Sequence, residues 1–140
     1  MDTQTRHMTI GAVARRAGIG IDTIRYYERE GLMPEPRRRA GGYRDYDASA
    51  AQRLRFIRRA KELGFTLAEI RELLALSGDH ERGVENVKQR ARHRRDAISE
   101  RIRELQRLRR GLTRLIDACP GHGDPADCPI LRALGSGEPR

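Results

Sequence analysis

The sequence TIGAVARRAGIGIDTIRYYEREG, residues 9–31, decides the fold of the first half of the chain. Thr9 is a suitable N-cap for a first helix, and Gly18 ends it in the left-handed conformation that glycine favours. A second short helix ends at Gly31, and Pro34 prevents its continuation. The apolar face of the first helix consists of Ile10, Val13, Ala14 and Ala17. Two short helices joined by a tight turn predict a helix-turn-helix, whose second helix can enter the major groove of DNA.

The second helix is the candidate recognition helix. Its N-terminal cap is expected at Asp22 or Thr23, since both residue types accept backbone hydrogen bonds at helix starts. Helical periodicity then puts Thr23, Arg25 and Tyr26 on the exposed face. These three residues are the candidates for contacts with base edges and phosphates.

A basic hairpin is predicted directly after the recognition helix. The pair Gly41-Gly42 indicates a tight turn, and the alternating residues 43–46 suit a strand. Basic and aromatic side chains crowd this segment: Arg37, Arg38, Arg39, Tyr43, Arg44 and Tyr46. Guanidinium groups bind phosphates strongly, so the hairpin is interpreted as a DNA-binding wing rather than an incidental charged loop.

Two more helices complete the predicted head of the molecule. Asp47 is expected to cap a third helix that runs to about Leu63, and Thr66 and Glu69 form a capping box that opens a fourth. The inward residues of these helices are predicted to be Leu54, Ile57, Ala60, Leu67, Ile70, Leu73 and Leu74. The outward residues of the third helix are Arg53, Arg55, Arg58, Arg59 and Lys61.

A single long helix is predicted from Glu81 to Asp117. Apolar residues recur there at spacings of three and four, at Val87, Ala91, Ile98, Ile102, Leu105, Leu108, Leu112 and Leu115. A helix of this length with one apolar stripe needs a partner, and a coiled coil provides one. Arg94 falls on the seam and weakens it locally.

Charge and composition restrict the class of protein. The chain of 140 residues carries 29 Lys and Arg against 20 Asp and Glu, a net charge of +9, so a polyanionic partner is expected. No apolar run reaches the length of a membrane span, and residues 1–7 lack the apolar core of a signal peptide. Two cysteines do not make a disulfide scaffold. These features predict a cytoplasmic protein without membrane contact.

The tail contains both cysteines, in the loop Cys119-Pro-Gly-His-Gly-Asp-Pro-Ala-Asp-Cys128. Thiolates are soft metal ligands, so a two-thiolate site for a soft ion is the favoured interpretation. A reversible disulfide and a pair of inert small residues are the alternatives. Two cysteines exclude a structural four-cysteine zinc site within one subunit.

Taken in order, residues 23–32 (TIRYYEREGL), 42–46 (GYRDY), 54–57 (LRFI) and 63–65 (LGF) resemble the MerR family of transcriptional regulators. The resemblance extends from about Met8 to Leu134. It implies recognition-helix contacts from Arg25 and Tyr26 and wing contacts from Tyr43 and Arg44. It also implies supporting phosphate contacts from Arg15 and Arg16.

The resemblance further implies how such a protein works. The long helix would pair with its copy as an antiparallel coiled coil, and the homodimer would bind a palindromic promoter operator. Ligand capture would distort the promoter DNA so that RNA polymerase holoenzyme can use it, which activates transcription. The cysteine loop resembles the metal-binding loop of the family's metal sensors, in particular its copper-efflux regulators, and in this branch the regulated genes serve metal efflux or resistance.

The same branch implies a selectivity position near the start of the long helix of the other subunit, which aligns with Val84, with Gly83 as the neighbouring choice. Valine cannot bind a metal, so a three-thiolate cage is excluded, and Cu(I) or Ag(I) is the favoured ion. Further ligands from His122, Asp124, Asp127 or His80 of the partner subunit would instead suit a divalent ion such as Zn(II), Cd(II), Pb(II) or Hg(II).

The predicted organisation is mainly α-helical. A winged helix-turn-helix occupies residues 8–78, the dimerisation helix 80–117, and the metal-binding loop with a short helix 118–134, with flexible termini at 1–7 and 135–140. No catalytic arrangement is recognisable, so an enzyme is not expected. The alternatives are the same fold with a redox or organic signal, or a metal buffer or trafficking protein. The operator, the target genes and the role of the N-terminal extension do not follow from the sequence.

Overall fold

A computed structural model of the chain describes residues 7–38 and 41–136 and confirms a mainly helical architecture. The elements follow the predicted order: α1 (Ile10–Ala17), α2 (Ile21–Arg29), β1 (Arg37–Arg38), β2 (Arg44–Asp45), α3 (Ala48–Glu62), α4 (Leu67–Leu76), α5 (Gly83–Ala118), a 3₁₀ turn (Pro125–Asp127) and α6 (Pro129–Gly135). Arg39, residues 1–6 and residues 137–140 lie outside the described residues, as do the predictions that concern them. Within the predicted flexible termini, the His7 ring nitrogen Nδ1 contacts the Asp45 carboxylate, and α6 continues through Gly135.

The helix-turn-helix forms largely as the local sequence predicts. The Thr9 side chain accepts a hydrogen bond from the Ala12 N–H at 3.1 Å, and Gly18 ends α1 with φ of 68°. The cap of α2 is different from the prediction. Gly20 occupies that position in extended backbone without a side-chain bond, and α2 begins at Ile21, so the expected cap at Asp22 or Thr23 is wrong. Asp22 instead lies in the first turn, where its negative charge interacts favourably with the positive end of the helix dipole.

The hydrophobic core lies in the first half of the chain. Its fully buried side chains come from each of the first four helices and the segment after α2, and include Val13, Ile24, Leu32, Leu54, Ile57 and Ile70. Helix α1 packs on α2 and α3, and α3 packs on α4. The recognition helix is thereby fixed on its inner face by Ile24 and Tyr27.

The wing is a two-stranded antiparallel ribbon. Arg37 lies opposite Asp45, and Arg38 lies opposite Arg44. The ribbon is shorter than the predicted strand over residues 43–46, since Tyr46 instead pairs with Met8 in an isolated bridge. The N-terminal segment therefore holds the base of the wing.

The caps of α3 and α4 confirm the sequence prediction. The Asp47 carboxylate accepts from the Ala50 N–H at 3.0 Å. In the capping box, Thr66 Oγ1 accepts from the Glu69 N–H at 3.1 Å, and Glu69 Oε1 accepts from the Thr66 N–H at 2.9 Å. Both caps define the residue at which their helix begins, and thereby which side chains of α3 and α4 face the core.

The structure divides into one compact unit that ends at Ala91 and a second that begins at Arg92. This division falls within α5, and the domain bounds expected from the sequence, 8–78 and 80–117, stay predictions. Val87 is partly buried and packs against the core of the first unit, and its place in the predicted coiled-coil seam stays a prediction. Gly83 is buried at the start of α5, where an added Cβ would lie 2.2 Å from the Leu76 carbonyl oxygen. Only glycine allows this close turn between α4 and α5.

The second unit has no buried residue among those that the structure describes. Ile98, Ile102, Leu105, Leu108, Leu112 and Ile116 are each between 38% and 59% exposed. Their spacing of three and four residues defines one apolar stripe along α5, which we call the α5 stripe. In the described part of the chain, no helix is long and apolar enough to span a membrane.

Candidate functional site

The recognition helix directs polar and aromatic side chains outward. Arg25 is exposed and lies 3.9 Å from Asp22, a pairing too long and too exposed to neutralise it strongly. Tyr26 is 39% exposed, and its ring centroid lies 6.0 Å from that of the buried Tyr27. Thr23 is half-buried. Arg25 and Tyr26 thus have the exposure that the sequence predicts for groove contacts.

The wing places a second set of side chains near the same helix. Tyr43 is 76% exposed at its tip, and Arg37 and Arg38 are exposed on β1. Arg38 donates a hydrogen bond to the Gly42 carbonyl at 2.9 Å. Gly42 has φ of 82°, a conformation that disfavours any side chain and allows the tight turn of the hairpin.

A buried carboxylate joins the wing to the recognition helix. The Glu28 side chain is only 7% exposed and accepts a hydrogen bond from Arg44 Nη1 at 2.6 Å and another from the Tyr46 hydroxyl at 2.5 Å. Burial and the hydrogen bond to Glu28 raise the pKa of Tyr46 to about 12, so its hydroxyl remains a donor. Arg44, which the sequence suggested only as a phosphate contact, therefore also fixes the wing on α2.

These elements surround one groove, which we call the wing groove. It is lined by Thr9, Ile10, Arg25, Gly42, Tyr43 and Arg44. The recognition helix, the start of α1 and the wing thus face a common space. The structure brings together three of the predicted DNA contacts here: Arg25, Tyr43 and Arg44.

A second basic surface, the α1–α3 hollow, lies at the end of α1. It is lined by Arg15, Arg16, Ala17, Gly18, Arg55, Arg58, Arg59 and Glu62. Glu62 pairs with Arg58 at 3.2 Å and with Arg59 at 3.3 Å, so one carboxylate serves two guanidinium groups. The sequence identified Arg15 and Arg16 as phosphate contacts but assigned the α3 arginines only to an outward face. Their convergence on α1 depends on the packing of α3, which local sequence does not reveal.

The loop after α5 holds both cysteines side by side. Cys119 Sγ and Cys128 Sγ lie 3.9 Å apart, and both residues are free and half-buried. Gly121 and Gly123 adopt positive φ values of 80° and 108°, which allow the loop to return to its starting point. The 3₁₀ turn then brings the Cys128 N–H to the Pro125 carbonyl at 3.2 Å.

The backbone around Cys128 favours its thiolate. The N–H groups of Leu131 and Ile130 point to its sulfur and, together with the Cys119 thiol, lower the pKa of Cys128 against the opposing effect of desolvation. A thiolate is the form that binds metal ions and attacks electrophiles. The chemistry available here is therefore soft-metal binding or thiol oxidation.

The other predicted ligands are not gathered around the two sulfurs. Asp124 accepts from the Ala126 N–H at 3.0 Å, and Asp127 pairs with Arg132 at 3.5 Å, so both carboxylates stabilise the loop. Within residues 7–38 and 41–136, no cluster of three or more His, Cys, Asp and Glu side chains suits a metal ion. His122 is exposed, and Val84 is 86% exposed. The two thiols alone therefore fit a soft ion within one chain, and they leave its coordination incomplete.

A basic winged helix-turn-helix followed by a long helix is an architecture of DNA-binding regulators. The profile described as "MerR HTH family regulatory protein" matches residues 8–77, and that described as "MerR, DNA binding" matches residues 51–115. The chain belongs to the MerR family of DNA-binding transcriptional regulators, which are not enzymes.

Similar proteins cover almost the whole chain. The HTH-type transcriptional regulator HmrR of Rhizobium leguminosarum bv. viciae is 45% identical over 93% of this chain and 99% of its own. The HTH-type transcriptional regulator ZntR of Escherichia coli is 44% identical over 91% of this chain and 92% of its own. A mercuric resistance operon regulatory protein of Serratia marcescens is 37% identical over 100% of this chain and 96% of its own.

Solved structures extend the likeness to the fold. PbrR691 of Ralstonia metallidurans, in complex with lead(II), matches with a TM-score of 0.79 and 38% identity over 91% of this chain and 98% of its own. MerR of Bacillus megaterium, in complex with a mercury(II) ion, matches with a TM-score of 0.70 and 36% identity over 91% of this chain and 98% of its own. HiNmlR, bound to promoter DNA, matches with 0.55 and 26% over 72% of this chain and 80% of its own.

Proposed function

We propose that this chain is a metal-responsive transcriptional activator that binds promoter DNA as a homodimer and senses a soft divalent ion through Cys119 and Cys128. The observation that carries the proposal is the pair of free thiols, 3.9 Å apart, in a chain of the MerR family. A basic head and a thiol loop that carries two carboxylates and no Lys or Arg divide the two tasks between separate parts of the molecule.

The wing groove and the α1–α3 hollow are the proposed DNA-binding surfaces. Arg25, Tyr26 and Thr23 would contact the major groove, while Arg37, Tyr43 and the remaining donors of Arg44 hold phosphates. Arg15 and Arg16 supply further phosphate contacts, joined by the α3 arginines of the hollow: Arg55, Arg58 and Arg59. The structural likeness to HiNmlR bound to promoter DNA supports this assignment.

The proposed dimer buries the α5 stripe against a second copy. Apolar residues at this spacing and exposure mark an interface, and one helix with one stripe pairs most simply with itself. The family resemblance favours an antiparallel arrangement. Two heads related by a two-fold axis then bind a palindromic operator, and RNA polymerase holoenzyme is the expected partner at the promoter.

The ion is proposed to be divalent. The two thiols lie close enough, at 3.9 Å, to serve the same soft ion, and this separation does not by itself select the ion. The lead(II) and mercury(II) complexes of the similar structures, and the mercuric resistance regulators, support the choice of a divalent ion. They favour the divalent alternative over the Cu(I) or Ag(I) that the sequence suggested.

A tetrahedral ion such as Zn(II) would need more ligands than the two thiolates. His122 is the candidate nitrogen ligand within the loop, and its approach would require rearrangement of the glycine-rich turn. Val84, at the selectivity position, offers no donor, so a third ligand from elsewhere would come from His80 of the partner subunit or from solvent. Lead(II), mercury(II) and zinc(II) are the ions to test.

Activation is proposed to act through DNA shape. The metal-bound loop would favour one arrangement of the dimer, and the heads would then bend and untwist the promoter at a cost of several kcal/mol. Such a switch requires that the ion bind the two protein–DNA states with different affinities. Genes for metal efflux or resistance are the expected targets.

The experiment is an anaerobic titration of the protein with Pb(II), Hg(II), Zn(II) and Cu(I) against competing chelators, followed by transcription from the promoter that it binds. For each ion, the affinity for the protein is divided by the affinity of the same ion for a free thiolate. We expect this ratio to be larger for one of the divalent ions than for Cu(I), and we expect that divalent ion to activate transcription. A Cys128→Ser variant should lose both responses. A response to oxidant that replaces the metal response would favour the redox alternative.

Charge reversal at the exposed Arg25 separates the regulator from a metal buffer or trafficking protein. Loss of duplex affinity with retained metal affinity is expected. Unchanged duplex affinity would contradict the DNA-binding assignment.

A further inference from the structure

The recognition helix ends in a backbone motif that leaves two carbonyl groups for side chains to satisfy. After α2, the Gly31 N–H bonds to the Glu28 carbonyl at 3.2 Å, and the Leu32 N–H bonds to the Tyr27 carbonyl at 2.9 Å. This is the Schellman arrangement, with Gly31 at φ of 76°. The carbonyl groups of Glu30, the C-cap residue, and of Leu32, the last residue of the motif, take no part in these two bonds.

Two arginines from two other helices bind these carbonyls. Arg53 Nε of α3 donates to the Leu32 carbonyl at 2.7 Å, and Arg71 Nη2 of α4 donates to the Glu30 carbonyl at 2.6 Å. Arg53 is half-buried beside the fully buried Leu32, whereas Arg71 is exposed. Guanidinium groups also interact favourably with the negative end of the helix dipole.

We propose that Arg53 and Arg71 are positioning residues for DNA recognition, an inference that rests on the proposed DNA-binding function. They fix the end of α2 on α3 and α4, so they determine the angle at which Arg25 and Tyr26 meet base edges. The inner face of α2 is fixed separately by Ile24, Tyr27 and Glu28. Two further attachments at the C-terminal end resist a rotation that those inner contacts alone would allow.

A positioning role differs measurably from a phosphate contact. A side chain that binds a phosphate contributes to specific and non-specific affinity alike, and its loss lowers the slope of log K against log[salt] by about 0.9. A side chain that only orients α2 has no counterion to release. Its loss weakens the binding of a specific duplex while the salt slope and the affinity for unrelated DNA remain unchanged.

The experiment uses the full-length dimer and a duplex selected by the wild-type protein from a random library. Arg71→Ala and Arg53→Ala are compared by fluorescence anisotropy on this duplex and on a scrambled one, at several salt concentrations. We expect the ratio of specific to non-specific affinity to fall about tenfold for either variant, which is about 1.4 kcal/mol, with an unchanged salt slope. Arg55→Ala, which removes the same charge from the α1–α3 hollow, is the matched control and should lower both affinities and the slope.

Several outcomes would overturn the proposal. A slope that falls by about 0.9 for Arg71→Ala, with parallel loss on both duplexes, would make Arg71 a phosphate contact. If a folded variant keeps the wild-type ratio of specific to non-specific affinity, the substituted arginine has no positioning role. Arg71 is exposed, so Arg71→Ala should fold even where Arg53→Ala does not, and Arg71→Lys is expected to recover part of the ratio. Failure of the wild-type protein to select any duplex would instead contradict the proposed function.

Discussion

The DNA-binding head and the thiol loop differ in how completely their own residues define them. In the head, a buried core and the Glu28 network fix the recognition helix and the wing without any ligand. In the loop, the two thiols are close together but no described residue supplies a third donor near them. The head is therefore preformed in the sense that its own packing holds its exposed side chains, whereas the loop, as the proposed metal site, would need further ligands. This division suits a regulator, since only the incomplete part has to respond.

The largest expected effect tests the head. Leu54 is fully buried, and Leu54→Ala should lower the free energy of unfolding by about 3 kcal/mol, because it removes methyl groups and leaves a cavity. Chemical denaturation monitored by circular dichroism measures the change. Leu131→Ala in α6, where the side chain is 52% exposed, is the control and should be nearly neutral. Equal losses for the two variants would contradict the contrast between a packed head and an open loop.

The next effect tests the loop. Cys128→Ser should weaken metal binding by more than about a hundredfold, since even residues that only orient ligands contribute 10–100-fold. Chelator competition under anaerobic conditions measures this affinity. Duplex affinity in the absence of metal should remain within about twofold of wild type, because the head is preformed. A parallel loss of duplex affinity would mean that the two parts are not separable.

A smaller effect tests the recognition surface. Arg25→Ala should weaken binding to the selected duplex by about 1–3 kcal/mol if Arg25 contacts a base edge, while metal affinity is retained. Anisotropy titrations at fixed salt measure it. Arg95→Ala removes the same charge from α5, where Arg95 pairs with Asp96 at 3.1 Å, and should change duplex affinity little. If both variants weaken binding equally, total charge rather than the wing groove controls affinity.

The smallest effect concerns the cap of α3. Hydrogen bonds from the Ser49 hydroxyl and the Ala50 N–H lower the pKa of Asp47. A lowered pKa stabilises the folded state above the unfolded value of about 3.9, and this contribution is lost as the pH falls through the folded value. Asp47→Ala should therefore cost about 1 kcal/mol at pH 7, and the difference from wild type should shrink below about pH 4. A difference independent of pH would exclude a charged cap.

The sequence predicted most of the fold where the interactions are local. Thr9, Asp47 and Thr66 each bind an N–H three residues ahead, so the cap and its target appear together in the sequence. Gly20 was missed as the cap of α2 because it makes no side-chain bond. The wing's attachment was missed as well, since Arg44 and Glu28 meet only after β2 has packed on α2.

The candidate site was predictable to the same degree. The sequence identified the two cysteines from their separation along the chain, and the exposed residues of α2 from helical periodicity. It did not reveal the α1–α3 hollow, because the local sequence does not say which face of α3 lies beside α1. It also did not reveal the hydrogen bonds from Arg53 and Arg71 to backbone carbonyls at the end of α2. Nor did it reveal that Val87, which it places in the predicted coiled-coil seam, packs on the core of the head.

The central claim is that an ion held by the thiols of the loop changes the shape of DNA held by the preformed head. The most direct measurement is fluorescence energy transfer between the two ends of the selected duplex, bound to the protein, during titration with Pb(II), Hg(II), Zn(II) or Cu(I). A divalent ion should change the end-to-end distance without releasing the DNA, and Cys128→Ser should abolish the change. An unchanged distance with every ion, or a change produced by Cu(I) alone, would contradict the account.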